Sequence, residues 1–252
     1  MYRITALIGS PRKEHSYRTS MNFLEKLASL SEIEYELVQF SDYNLKTCNG
    51  CKLCMDKGEE LCPLKDDRDI IIEKMKSSDG IVFVSPNYSF HVSAHMKIFL
   101  DRLGFLFHRP RLFGKASTSI VVQGIYGGSK ILKYFRFIGN ALGMRTCKGI
   151  TILTLEPMTE KAVQKMDSAC DKLSRRFLKT LKKPDFPNPT LFDLMMFRVS
   201  RSSMKNKLTD EFRDYSYYKD MGWFESDFYY PVKLTPLKRV MGKLFDSLGR
   251  TL

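Results

Sequence analysis

Apolar runs that alternate with helix-period segments across the first 183 residues predict an α/β protein. Its core is a doubly wound, five-stranded parallel sheet with right-handed crossovers. Residues 4–8 are an apolar run, and 80–85 are a short, continuously apolar one, as a strand covered on both faces requires. The segments after such runs place apolar side chains at helical spacing: Met21, Leu24, Leu27 and Ala28 in one, Met96, Phe99, Leu100 and Leu103 in another. The loops that leave the runs are rich in hydroxyl, glycine and amide groups, which suits ligand binding beyond the carboxyl ends of the strands.

In chain order, residues 4–8 form the first strand and 16–30 a helix with one buried face. Ile33, Tyr35 and Leu37 alternate with Glu34, Glu36 and Val38 in a second strand, and residues 42–67 form a cysteine-bearing insertion. Residues 67–76 read as a helix whose acidic start suits the dipole, followed by the strand at 80–85 and a helix at 93–106. A fourth strand spans 118–123, a glycine-rich loop 124–129, a helix 130–142, a fifth strand 150–155 and a long helix 159–181. The proline-rich stretch 184–189 is a break. Beyond it, residues 184–252 read as a helical, aromatic-rich C-terminal extension: a Met-rich apolar run at 191–199, an aromatic cluster from Tyr215 to Tyr230, and a basic helix at 236–248.

The chain has 252 residues, enough for a sizeable core, with 41 Lys and Arg against 28 Asp and Glu for a formal charge of +13. That surplus favours anionic partners. The N-terminus runs directly into a strand pattern and no apolar run has the length of a spanning helix, so the expectation is a cytoplasmic protein in a reducing compartment. The six cysteines then point to metal or redox chemistry rather than disulfide staples.

Gly9-Ser10-Pro11-Arg12, with Ser16, Tyr17 and Thr19 beyond it, joins the first strand to the first helix. Helix starts carry unpaired N–H groups and partial positive charge, so hydroxyls and a guanidinium at this junction make a phosphate cradle. Neither G-x-G-x-x-G nor G-x-x-x-x-G-K-[ST] occurs here, which argues against a dinucleotide or a nucleoside triphosphate. Pro86, Asn87, Tyr88 and Ser89 offer backbone groups, an amide and an aromatic face, while Gly124, Tyr126 and Gly127 let backbone approach a flat ligand. A phosphate at one end and a flat, hydrogen-bonding ring at the other describe FMN.

These residues carry a resemblance. Gly9-Ser10-Pro11-Arg12, Ser85-Pro86-Asn87-Tyr88 and Met96-Lys97-Ile98-Phe99-Leu100-Asp101-Arg102 resemble the flavodoxin-like NAD(P)H-dependent FMN reductase family over about residues 1–180. The resemblance implies a flavodoxin-like FMN-binding domain at 1–183. In it, Ser10, Arg12, Ser16, Tyr17 and Thr19 hold the phosphate, Pro86, Asn87, Tyr88 and Ser89 line the ring, and the 124–127 loop closes over it. Glu14-His15-Ser16-Tyr17 stands where many members have Gly-Asn-Thr. Lys97, Asp101 and Arg102 read equally as an ion-pair group or as functional residues.

Cys48, Cys51, Cys54 and Cys62 have the spacing C-x2-C-x2-C-x7-C, similar to the iron-sulfur flavoprotein branch of that family, which implies a [4Fe-4S] cluster exchanging electrons with FMN. A structural zinc site and a cluster-free relic are the competing readings. Cys147 and Cys170 read as small buried residues, and His91 with His95 lacks a third metal ligand.

The expected function is oxidoreduction from NAD(P)H through FMN to a redox acceptor. Its rivals are an electron-transfer protein reduced by a ferredoxin-like donor, and an interaction module that merely retains the fold. Relatives suggest a homodimer or homotetramer. No nucleic-acid motif is visible. The Met-rich tail suits acidic lipid as a lesser reading, with packing on its own domain or across a dimer preferred.

Overall fold

The computed structural model describes residues 1–184 and 186–251. In chain order its elements are β1 (Tyr2–Ile8), α1 (His15–Ala28), β2 (Ile33–Gln39), α2 (Leu53–Asp56), α3 (Arg68–Ser77), β3 (Gly80–Pro86), α4 (Ala94–Asp101), α5 (Gly104–His108) and β4 (Ala116–Gln123). They continue with α6 (Gly128–Ala141), β5 (Arg145–Thr146), β6 (Ile150–Leu153), α7 (Glu160–Leu181), α8 (Leu191–Lys207), α9 (Arg213–Asp220) and α10 (Pro236–Thr251). The chain divides into two compact units. The first comprises Met1–Asn49, Leu64–Leu103 and Pro110–Lys183, and the second Gly50–Pro63, Gly104–Arg109 and Pro184–Leu252. The proline-rich break at 184–189 includes Asp185, which lies outside the described residues.

In the first unit the sheet is parallel, in the order β2, β1, β3, β4, with β5 and β6 both paired to β4. The fifth position is thus filled by two short pieces, and residues 147–149 interrupt it. Ile4, Ala6 and Ile8 alternate toward one face, together with Val82, Val84, Ile120 and Val122, and meet Phe23, Leu27, Leu173 and Phe177 from α1 and α7. Each fully buried Leu, Ile or Phe of this layer contributes about 1.5–3 kcal/mol. On the other face Phe83 stacks on Phe135 of α6, with ring centroids 5.4 Å apart.

The predicted helix at 93–106 is two helices. The chain tightens at Arg102 and Leu103, whose N–H groups donate to Phe99 and Leu100 three residues back, and α5 begins at Gly104. Arg102 is buried, and its guanidinium donates to both carboxylate oxygens of Asp66 and to the carbonyls of Lys46 and Leu64. Asp66 also accepts from the Lys46 N–H (2.8 Å), and Asp67 accepts from the Asn44 N–H (2.7 Å), so two adjacent acids clamp both stems of the insertion. Burial works against ionisation of Asp66 and is the largest single influence, but the Arg102 hydrogen bonds and charge together with the Lys46 and Arg68 N–H donors outweigh it and hold the carboxyl below the usual aspartate value.

The second unit has its own core. Arg109 is wholly buried and donates to the Cys54 carbonyl (2.7 Å) and Glu59 (2.8 Å), and it also pairs with Asp214. Tyr218, Trp223 and Tyr229 pack edge to face, and the Trp223 indole N–H donates to the Tyr229 carbonyl at 3.0 Å. Helix α9 falls inside the aromatic run, where tyrosines obscure helical periodicity.

Replacing Arg102 with Ala leaves Asp66 buried without its cation, so denaturant unfolding is expected to show a loss of about 3–5 kcal/mol. Because the folded Asp66 pKa is depressed, the pair's contribution is complete above the ordinary aspartate value and is lost as pH falls below it. Wild type therefore loses stability relative to the variant under acid titration.

Candidate active site

Registration of the central strands places three loops side by side. Ile8 pairs with Val84, and Ser85 with Val121, so Gly9, Asn87 and Gly124 all emerge at the carboxyl end of the sheet. A cleft of about 490 Å³ opens there, within the size range of cofactor sites. Ser10, Arg12, Glu14, His15 and Ser16 line one side, Pro86, Asn87 and Tyr88 another, and Val122, Gln123, Gly124, Thr154 and Glu156 the remainder.

The first loop is held by Ser93, the N-cap of α4. Its Oγ donates to the Gly9 carbonyl (2.6 Å) and accepts from the Met96 N–H, while its own N–H donates to Ser85 Oγ (3.0 Å). A Cβ at Gly9 would stand 2.6 Å from Ser93 Oγ, so this close approach requires glycine. Ser10 Oγ and the Arg12 backbone bond each other at 3.0 and 3.3 Å, curling the loop toward the start of α1. Helix α1 has no side-chain cap, which leaves its first-turn N–H groups directed at the cleft end.

Two carboxylates share this end, one beside a histidine ring nitrogen and one beside an arginine. Glu156 lies 2.6 Å from His15 Nε2, and Glu14 lies 3.3 Å from Arg18. Arg12 is exposed and has no carboxylate partner among the described residues. Arg12, Ser10, Ser16 and the helix start can therefore receive an anion.

The second loop turns sharply. Tyr88 and His91 exchange backbone hydrogen bonds (3.1 and 2.9 Å), with Ser89 and Phe90 between them at φ 48° and 63°. That is the dihedral pattern of a type I′ turn, held without glycine at a cost of about 1–2 kcal/mol per residue. Asn87 Nδ2 donates to the Tyr126 carbonyl (2.8 Å), and Phe90 packs on the Tyr126 ring at 5.3 Å, which ties this turn to the third loop. Asn87 Oδ1 is buried without a protein partner, so a bound donor would satisfy it. Gly127 has φ 101°, and a Cβ there would lie 3.0 Å from Phe90.

Of the sequence-predicted residues, Ser10, Arg12, Ser16, Pro86, Asn87, Tyr88 and Gly124 line the cleft. Ser89, Tyr126 and Gly127 shape the loops around it. Tyr17 and Thr19 do not reach it. Tyr17, about 100° around the helix from Ser16, packs against the sheet core, and Thr19, nearly a full turn further along the axis, is fully buried with its hydroxyl 3.5 Å from Met166 Sδ. His15, Gln123, Thr154 and Glu156 were not anticipated. Position is their only signal: His15 begins α1, and Gln123, Thr154 and Glu156 lie at the ends of β4 and β6.

Lys97 pairs with Asp101 one turn on, and Arg102 serves the buried clamp to Asp66. His91 packs on Tyr134 at 5.2 Å. Cys48 belongs to the first unit, and Cys51, Cys54 and Cys62 to the second. Among the described residues, no three His, Cys, Asp or Glu side chains are gathered to hold a metal ion. Burial pushes the Cys170 thiol up to about 12 and also raises Cys147, so both are neutral packing groups.

The strand order and the cleft at the carboxyl ends define a flavodoxin-like α/β protein. Residues 2–154 match the model of the NADPH-dependent FMN reductase family, and the chain belongs to that family of oxidoreductases. An iron-sulfur flavoprotein of Clostridioides difficile is 26% identical over 222 residues, covering 86% of this chain and 94% of the relative. An iron-sulfur flavoprotein of Archaeoglobus fulgidus is 34% identical over 143 residues. That match spans 56% of this chain and 64% of the relative, less than two thirds of its length. The NAD(P)H:quinone oxidoreductase structure from Methanothermobacter marburgensis superposes with a TM-score of 0.56 at 16% identity, over 69% of this chain and 96% of its own, and shows the shared fold. Among the described residues no helix is long and apolar enough to cross a membrane.

Gly127→Ala forces a side chain into a left-handed backbone and against Phe90. Thermal unfolding is expected to show a loss of about 1–2 kcal/mol.

Proposed function

We propose that the cleft holds FMN and that the protein transfers electrons from NAD(P)H through it to a redox acceptor. The observation that carries this reading is the convergence of an anion-receiving end (Ser10, Arg12, Ser16 and the start of α1) with an amide- and glycine-bearing wall (Asn87, Gly124) in one cleft. Family membership supports it. The donor set suits the two ends of the cofactor. Arg12 and the two hydroxyls provide charge-assisted and neutral hydrogen bonds for a phosphate monoester, and the unpartnered Asn87 Oδ1 provides an acceptor for a ring N–H. Bound there, FMN supplies hydride acceptance and electron transfer. The chain's residues position it, and the Asn87, Phe90 and Tyr126 contacts keep the ring side of the cleft in shape.

The four cysteines carry the finer reading of a [4Fe-4S] cluster, supported by their thiolate donor set and by the iron-sulfur flavoproteins to which the chain is similar. Among the described residues the thiols are not gathered into a group that holds a metal ion.

Absorption spectroscopy and iron analysis of anaerobically purified protein, followed by NADPH or NADH addition, test both levels. Flavin bands that bleach rapidly with nicotinamide are expected, with about four irons per chain if the cluster is present. Failure to retain or bind FMN overturns the cofactor. Retained flavin that only a ferredoxin-like donor reduces overturns the nicotinamide. Arg12→Ala is expected to weaken FMN by about 1.5–3 kcal/mol in a fluorescence titration, with unchanged affinity removing Arg12 from the site.

A further inference from the structure

Helix α10 is amphipathic, and one row of its apolar side chains is left exposed. The face it turns to its own unit carries Gly242, Asp246 and Gly249. Asp246 accepts from Arg198 (2.8 Å), Arg201 (2.8 Å) and Ser202 (2.9 Å), all on α8. A Cβ at Gly249 would stand 2.5 Å from the Val199 carbonyl, so the two helices touch backbone to backbone. This inner side is close-packed, with Met241 and Phe245 half-buried beside the Asp246 contacts, and it pins the rotation of α10 about its axis.

The opposite face is apolar and open. Leu237, Val240, Leu244 and Leu248 are 66, 59, 57 and 47% exposed, and their spacing puts them on one stripe over three turns. Arg239, Lys243 and Arg250 run alongside, exposed and without carboxylate partners among the described residues. Asp246 is the sole acid between residues 236 and 251, and it is spent on Arg198 and Arg201.

We infer that α10 docks the protein on an anionic lipid surface, lying in the interface with its leucine stripe in the acyl boundary and its cations among acidic headgroups. Apolar side chains bordered by Lys and Arg are the composition of an interfacial helix, and such binding requires no membrane-crossing helix. Charge decides between occupants. A second copy would present the same cation rim with no exposed carboxylate on the helix to pair it, whereas an acidic bilayer matches both the stripe and its border. In the Met-rich segment of α8, Leu194 and Phe197 are buried in its own unit while Leu191, Phe192 and Met196 are exposed.

Co-sedimentation of the full chain with phosphatidylcholine vesicles, with and without phosphatidylserine, tests the proposal. Wild type is expected to sediment with the phosphatidylserine vesicles alone and to be released by raised salt. The doubly substituted Leu244→Gln, Leu248→Gln protein and the Arg239→Ser, Lys243→Ser protein are each expected to lose about tenfold or more of that binding. Both pairs are solvent-exposed, and an unchanged thermal midpoint verifies that folding is intact. Absence of wild-type binding, binding indifferent to phosphatidylserine, or unchanged binding by the glutamine variant overturns the proposal. So does a wild-type dimer that Leu244→Gln converts to monomer without any vesicle binding.

Discussion

The structure of the first unit depends on the register of three buried parallel strands. Parallel pairing with right-handed crossovers delivers every βα loop to the same end of the sheet. Because β1, β3 and β4 are adjacent, the loops after Ile8, Pro86 and Gln123 must meet. The cleft follows from that geometry before any side chain is considered. Ser93 then converts adjacency into fixed position, bonding the Gly9 carbonyl on one side and Ser85 on the other. The strain held at Ser89 and Phe90 lies at the same end, within a turn braced by Tyr126. Concentration of strain where a ligand is held is a common feature of binding sites.

Buried arginines organise what the sheet does not. Arg102 and Arg109 lie a few residues apart in sequence but belong to different units, and each satisfies its charge with acids and backbone carbonyls of its own unit. Such pairs contribute little net stability relative to apolar packing, but leaving one partner unpaired is costly, so they specify geometry strongly. The Asp66 and Asp67 clamp therefore fixes where the cysteine-bearing segment leaves and rejoins the first unit. In the second unit the same logic recurs at Asp246, where one carboxylate serves two arginines and sets which side of α10 faces outward.

Much of this was legible in the residues themselves. Continuous apolar runs marked β1 and β3 because strands buried on both faces have no polar alternation to hide. The cleft loops were recognisable from glycine, hydroxyl and amide content. Arg145 and Thr146 were not legible as a strand, since two residues carry no pattern, and α9 was masked by aromatic residues that suit either state. The family resemblance implied Tyr17 and Thr19 at the phosphate, but the first lies about 100° around the helix from Ser16 and the second nearly a turn further along its axis.

The sequence by itself determined the sheet, the helices that cover it, the family and three of the loops that meet at its carboxyl end, because burial and turn chemistry are local in their demands. Tertiary structure alone decided which hydroxyls face the cleft, that Glu156 and Thr154 join it from the loop after β6, and which face of α10 remains apolar and open. Those outcomes rest on long-range pairings, His15 with Glu156 and Asp246 with Arg198 and Arg201, whose partners stand 141, 48 and 45 residues apart. No periodicity within a single segment encodes them.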